Sequence, residues 1–279
     1  MEKIRFTNPR GESIEFMYGG NYLIESYSGF GNSTIEATNI KGYAQQGYSF
    51  GGALFGLRTI QLNVLISTSS LEETYERRCY LARVFNPTLG QGVLRYENNH
   101  GVWCLNCYTS FLPEPDQKWG TLTKYSIQLV ATQPFWYDEV ESGTQLVSAT
   151  GGLTFDFKFD DSIVFGVASP AGAIINTGDI PTPPRIVLRG ANMTNPRISL
   201  VGHPEYLQID KVITASEEVE ITTDYGNKMI KINGASAMRY LNEGSTFFDL
   251  PVGESRLSIT TDAGEPQVFL YWHNYYAGV

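Results

Sequence analysis

Trp103-Cys104-Leu105-Asn106-Cys107 is the stretch whose residue types and spacing most invite a chemical reading. A Trp-Cys-x-x-Cys pair does redox work when its first cysteine opens a helix, whose N-terminal amides lower the thiol pKa. Here the flanks, Gly101-Val102 and Tyr108-Thr109-Ser110, read as strand, so side chains at i and i+3 leave opposite faces. With one such pair and no second, a zinc site lacks ligands. The three histidines are scattered: His100 in an Asn-Asn-His-Gly turn, His203 before Pro204, His273 on an aromatic final strand. No Ser-His-Asp arrangement can be assembled from them. Asp160-Asp161 and Glu217-Glu218 have the chemistry of a glycosidase acid and base, although adjacent acids in turns read more simply as solvated surface. There is no P-loop and no Gly-x-Gly-x-x-Gly opening a helix. Phe269-Leu-Tyr-Trp-His-Asn-Tyr-Tyr could stack on sugar rings, and reads more plainly as a last strand buried on one face and docked on another domain. The sequence therefore nominates no catalytic, cofactor-binding or metal-ligating residue, and no enzyme.

The composition narrows the class further. A chain of 279 residues has room for about two domains and buries about three-quarters of its unfolded surface, enough for a core without staples. Residues are 42% hydrophobic and 13% aromatic with 28 glycines, which suits short twisted strands joined by tight turns. The net charge of -9 opposes nucleic-acid binding, whose footprint is a basic patch. No apolar run approaches the length of a membrane-spanning helix, and the first residues alternate rather than form a signal-peptide core. Three cysteines, an odd number, suit synthesis in a reducing cytoplasm better than a disulfide framework. Only 18% of residues are charged, leaving surface to be hidden in an assembly.

One helix stands out among strands. Ser70 is its expected N-cap with Glu73 completing a capping box, Glu72 and Glu76 lie toward its positive end, and Pro87 stops it. Leu71, Tyr75, Cys79, Ala82 and Phe85 recur at helical spacing, which predicts an apolar stripe over 71–85 covering a sheet.

Around it, period-two alternation predicts strands at both sides of the helix, including 1–26, 58–66, 93–97, 101–111 and 125–131, with Pro113-Glu-Pro-Asp as a break. Between the first strands and the helix, residues 27–56 pack seven glycines among Tyr43, Tyr48, Phe50, Leu54 and Phe55. So much glycine makes a poor core, yet the aromatics need burial. The stretch is either a hairpin lying on its own domain or an arm that buries its aromatics against a neighbouring subunit. A polar link after Tyr137 divides residues 1–138 from 139–279. Beyond it short strands recur with hairpin turns at Asp224-Tyr-Gly-Asn and Ile232-Asn-Gly-Ala, starting with strands at 153–159 and 163–167. The fold class is mainly β with one α-helix: an N-terminal β-barrel or sandwich carrying the helix and the hairpin, then a β-sandwich of jelly-roll or galectin-like size.

Several longer stretches carry a resemblance. Ser245-Thr-Phe-Phe-Asp-Leu-Pro-Val-Gly-Glu-Ser and Pro184-Arg-Ile-Val-Leu-Arg-Gly-Ala-Asn-Met-Thr-Asn-Pro-Arg-Ile resemble the closing and opening motifs of the C-terminal half of the distal tail proteins of siphophages and prophages. Arg58 through Pro87 and Pro134-Phe-Trp-Tyr are similar to that family's strand–helix–Asn-Pro unit and its domain-closing segment. The resemblance implies a structural, non-enzymatic protein of the virion tail tip, made in the bacterial cytoplasm. It implies a homo-hexameric ring closed by the N-terminal domain, with an arm embracing the neighbour and a galectin-like sandwich pointing outward. Its implied partners are the tail tube, the tail-associated lysin or tail fibre, and receptor-binding proteins. DNA would pass through without specific binding, and a ring of six acidic chains would repel it. The alternative is a carbohydrate-binding module that recognises cell-wall sugars through the C-terminal sandwich.

Overall fold

Strict alternation of large apolar side chains with polar ones is what builds the first half of the chain into sheet. The computed structural model describes residues 2–147 and 174–279; the strands expected at 153–159 and 163–167 and the Asp160-Asp161 pair lie outside them. The chain divides into two compact units, Met1–Glu139 with Tyr276–Val279, and Val140–Tyr275.

Unit 1 holds β1 (Lys3–Thr7), β2 (Ser13–Met17), β3 (Tyr22–Ser28), β4 (Ile35–Ile40), β5 (Ser49–Phe55), β6 (Arg58–Ser67), α1 (Leu71–Val84), β7 (Gly92–Glu97), β8 (Val102–Thr109), β9 (Glu114–Trp119), β10 (Leu122–Ala131) and β11 (Trp136–Asp138). Its main sheet runs β2-β1-β7-β8-β10-β6-β3, every neighbour antiparallel. β8 passes from β7 to β10 through Tyr108 and Thr109 alone, so the sheet folds over there into two layers. Ile4, Phe6, Phe16 and Leu94 from one layer meet Ile60, Leu62, Val64, Ile127 and Leu129 from the other in one core. The 58–66 strand is the clearest case: Ile60, Leu62, Val64 and Ile66 are all fully buried while the residues between them are not.

Sequence reading misses β9. Pro113 and Pro115 look like a break, yet Glu114–Trp119 pairs with β10 as an edge strand bulged at Lys124/Tyr125, a place where a missing N–H is tolerated.

The helix begins where expected. Ser70 Oγ accepts from the Glu73 amide at 3.2 Å, and Glu73 reaches back to the Ser69 amide at 3.0 Å, closing the box one residue earlier than the usual register. Glu73 also accepts from Arg77 at 3.0 Å across one turn. At the other end the buried Asn8 donates to the Val84 carbonyl at 3.4 Å, and Phe85 stacks on Phe6 with ring centroids 4.7 Å apart.

The face that α1 buries differs from the expected one. Thr74, Leu81, Val84 and the capping Phe85 point inward, whereas Leu71 is 54% and Tyr75 58% exposed and Cys79 is exposed. Thr74 can face the core because its hydroxyl donates to the Ser70 carbonyl at 2.9 Å. Arg77 contributes its stem under Tyr22, with the guanidinium 5.7 Å from that ring. Of the expected stripe, Leu71, Tyr75 and Cys79 are turned away from their own domain, Ala82 is half-buried and Phe85 is fully buried.

Unit 2 holds β12 (Ser142–Val147), β13 (Ile174–Asn176), β14 (Arg185–Thr194), β15 (Arg197–Leu200), β16 (Tyr206–Gln208), β17 (Val212–Ile213), β18 (Val219–Thr222), β19 (Met229–Ile232), β20 (Ala235–Ser236), β21 (Gly253–Ser255), β22 (Leu257–Thr260) and β23 (Ala263–Trp272). One sheet runs β12-β23-β14-β18-β19-β20, a second β16-β15-β22, and β13 pairs with β21. Ile186, Leu188, Ile221, Ile230, Val268 and Leu270 of the first meet Ile198, Leu200, Leu207 and Leu257 of the second in a sandwich core. Both expected hairpin turns are present, the second with Asn233 and Gly234 at positive φ as a two-residue turn requires.

Ion pairs decorate both units. Arg95 bridges Glu97 and Glu139 at 2.6 and 2.7 Å, and Lys211 holds Glu217 at 2.7 Å. Hydrogen bonds from these cations hold all three carboxyls below the usual glutamate range. Folded-state pKa values then lie below the unfolded ones, so the pairs add stability above about pH 4.3 and lose it as pH falls further. Melting temperature is expected to stay level from neutral pH to about 5 and to drop below about 4.3, read by circular dichroism melts in a pH series. A melting temperature that falls equally at every step from neutral pH would contradict this assignment.

Candidate assembly site

The residue types that suggested chemistry are spent on structure. Cys104 and Cys107 are both buried on β8, and burial pushes their thiols up, to about 11 and about 12, the reverse of an activated cysteine. Glu217 is held by Lys211, and Glu218 by Arg189 at 2.5 Å. In the final aromatic run, Trp272 is only 7% exposed on the core side of β23, and Arg185 lies 4.3 Å over the Tyr271 ring. Trp272 thus offers no open face to a sugar. Groups of three or more potential metal ligands are absent among the described residues.

What the molecule presents instead is surface. β4 and β5 form a two-stranded sheet of their own, paired from Ile35↔Phe55 to Ile40↔Ser49 with a bulge at Thr38/Asn39. The hairpin opens at Thr34, whose carbonyl accepts from the Gly56 amide at 2.7 Å, and Phe135 packs edge-on to Phe55 at 5.3 Å. Beyond that root, Tyr43 is fully exposed, Phe50 72% and Leu54 73%, and Tyr48 is exposed with Lys41 5.4 Å over its ring. Ile35, Ile40 and Leu57 add three exposed aliphatic residues that the sequence did not single out. Pairing places Ile35 opposite Phe55 and Ile40 opposite Ser49, and Leu57 follows the end of β5. Residues 27–33, by contrast, belong to the body: Phe30 is buried against Tyr27, Tyr96 and Trp136. The free hairpin is therefore shorter than residues 27–56.

Isolated hairpins are marginal in water, and apolar patches this large are uncommon on free monomers. Four exposed aromatics of ~200 Å² each with four aliphatics approach the ~800 Å² per partner of a standard protein interface. Residues 34–57 carry just two charges, Glu36 and Lys41. This is the composition of an interface core, where charge is depleted and aromatics are enriched.

The root of the hairpin is anchored by a residue that the sequence did not flag. Arg58, the first residue of β6, is fully buried. Its guanidinium donates to the carbonyls of Pro134 at 2.6 Å, Gly29 at 2.7 Å, Phe30 at 2.8 Å, Asn32 at 3.1 Å and also Ala277. Trp136 Nε1 adds a second bond to the Phe30 carbonyl at 3.0 Å. Burial lowers the Arg58 pKa to about 10, so the group stays cationic at neutral pH, surrounded by carbonyl dipoles. Gly29 sits at φ +91 with the Thr59 carbonyl where a Cβ would be, so glycine alone lets the chain enter this cage.

Residues 10–131 match the domain family described as phage tail protein RIFT-related domain, and residues 177–276 match siphovirus-type tail component, C-terminal domain. The chain belongs to the siphovirus distal tail protein family. The crystal structure of the distal tail protein of phage SPP1, described as a paradigm of the hub adsorption apparatus in phages infecting Gram-positive bacteria, superposes with a TM-score of 0.72 at 12% identity over 99% of each chain. A chain of the phage P2 baseplate in its activated conformation with calcium gives 0.60 at 11% identity, covering 100% of this distal tail protein and 99% of that chain. The corresponding strontium structure gives 0.56 at 12% identity, covering 96% and 97%. At such identities the likeness establishes the fold, mainly β with a single helix. No curated protein sequence matches. Family and fold are those of a structural component of the phage tail.

Proposed function

We propose that this distal tail protein is the hub of the tail tip: six copies close a ring through unit 1, joining the tail tube to the lysin, fibre or receptor-binding apparatus. The β4–β5 hairpin is the arm that grips the next subunit. The observation that carries this reading is the hairpin itself, with Tyr43, Tyr48, Phe50 and Leu54 exposed on a sheet that, among the described residues, has no partner strand beyond its own pair. Such a patch is stable in water when a neighbour covers it, and identical subunits gripping head to tail close into a ring. The solved relatives are a hub protein and baseplate chains, in keeping with this role. Unit 2 takes no part in closing the ring and is left to contact the adhesion apparatus. Catalysis has no part in the proposal.

Light scattering on the purified protein is expected to give six times the 31.1 kDa chain mass, with rings in negative-stain micrographs. A strict monomer at high concentration, with no ring in the micrographs, would overturn the reading.

A further inference from the structure

A ring built head to tail needs two different surfaces on each subunit, one that grips and one that is gripped. The hairpin supplies the first. A second apolar surface of unit 1 is the outward stripe of α1, where Leu71, Tyr75 and Cys79 follow one another at one-turn spacing and lie exposed. Nothing in the local chemistry of the helix asks for this. Its own core is satisfied by Thr74, Leu81, Val84 and Phe85, so the stripe is an addition to a helix already packed.

The two surfaces match in length and in apolar character. Strand pairing places Ile35 opposite Phe55, Ala37 opposite Ala53 and Asn39 opposite Phe50. Alternation then puts these six residues on one face of the hairpin, with Glu36 and Leu54 on the other. That face bears no charge and has a low waist at Ala37 and Ala53 between bulkier Phe55 and Phe50. A helix ridge of Leu71, Tyr75 and Cys79 is the complementary shape. The stripe from Leu71 to Cys79 spans ~12 Å along the helix, within the ~20 Å of the six-residue strand β4. Next to its stripe the helix exposes Glu72 and Glu76 and carries the Arg78 guanidinium 5.7 Å from the Tyr75 ring, and the hairpin's one cation is Lys41, just past the end of β4. Both elements of the contact belong to unit 1, which keeps the contact independent of unit 2.

We infer that the α1 stripe Leu71-Tyr75-Cys79 is the receiving surface for the β4–β5 hairpin of the adjacent copy, with the Ala37/Ala53 waist seated over Tyr75. This rests on the ring reading and names the contact that closes it.

Cys79 makes the contact directly testable, because it is the exposed cysteine and the other two, Cys104 and Cys107, are buried. The variants Ala37→Cys and Ala53→Cys change little volume on the hairpin face. Each is assembled as the full-length protein, treated with a short bis-maleimide and run on a denaturing gel. The expected result is a ladder from dimer to hexamer in both variants, absent from the wild-type chain and abolished when Cys79→Ala is added. A Val201→Cys control on unit 2, where the exposed side chain is far along the sequence from either surface, is expected to give no ladder. Rings in micrographs without a ladder in either variant would overturn this contact and leave the ring reading standing. A crosslink that stays within one chain would overturn it too. Wild-type protein that forms no ring would overturn both.

Discussion

Arg58→Met is expected to cost roughly 3–5 kcal/mol and to lower the melting temperature of the unit 1 transition by about 10 °C or more. The reasoning is an accounting of partners. The guanidinium is fully buried and satisfies five backbone carbonyls, from Gly29, Phe30, Asn32, Pro134 and Ala277. Truncation removes the guanidinium from the buried Pro134 carbonyl and from the part-buried Gly29, Asn32 and Ala277 carbonyls, while Phe30 keeps its bond from Trp136, and each buried acceptor left unsatisfied costs about 1–3 kcal/mol. Against a total stability of roughly 5–15 kcal/mol, that loss is large. Arg58→Lys retains the charge but presents three donors from a single point instead of a planar fork, so it is expected to recover only part of the loss. The variant should also free residues 276–279, since Ala277 is one of the acceptors, and speed their removal by carboxypeptidase. Scanning calorimetry reads the first effect and mass spectrometry the second. A melting temperature of Arg58→Met within 2 °C of wild type would refute the anchoring role.

The triple variant Tyr48→Ser, Phe50→Ser, Leu54→Ser is expected to abolish the ring while leaving the fold alone. All three side chains are exposed on the hairpin and contribute nothing to the core of their own subunit. In an assembly that grips the hairpin on both faces, with Phe50 on one and Leu54 on the other, each would bury most of its apolar area, worth about 1.5–3 kcal/mol per side chain. Losing three at one interface weakens it by roughly 4 kcal/mol or more, about a thousandfold in Kd, and a closed ring repeats the loss at every joint. Light scattering should therefore shift from hexamer to monomer at micromolar concentration. The far-ultraviolet dichroism and melting temperature of the dissociated chain should match those of dilute wild-type monomer. A variant that remains hexameric would show that the hairpin is not the grip.

Both predictions concern residues that the sequence treats very unequally. Composition marked the hairpin aromatics, because Tyr43, Tyr48 and Phe50 set among glycines cannot build a core of their own, but left open whether they lie on their own domain, and the structure leaves them exposed. Arg58 was not. An arginine ahead of an alternating strand looks like any solvated flank, and the five carbonyls that hold it come from segments up to 219 residues away. The misread helix stripe has the same origin. Helical spacing groups Leu71, Tyr75 and Cys79 correctly, but which face turns inward depends on where Phe6, Phe16 and Tyr22 stand against the helix. Local propensity also misjudged β9, since two prolines read as a break until β10 offers them an edge with a partner on one side only.

By itself, then, the sequence determined the elements set by short-range physics: the period-two strands, the helix capped at Ser70 and ended ahead of Pro87, the Asn-Gly turn, and an acidic, charge-poor composition without a chemical constellation. Only the tertiary structure decided which residues each element buries. It folded β8 across two layers, closed five carbonyls around Arg58, and left the hairpin and the outer stripe of α1 uncovered. The reason is that burial is a property of neighbours brought together across the chain, and no window of sequence contains them.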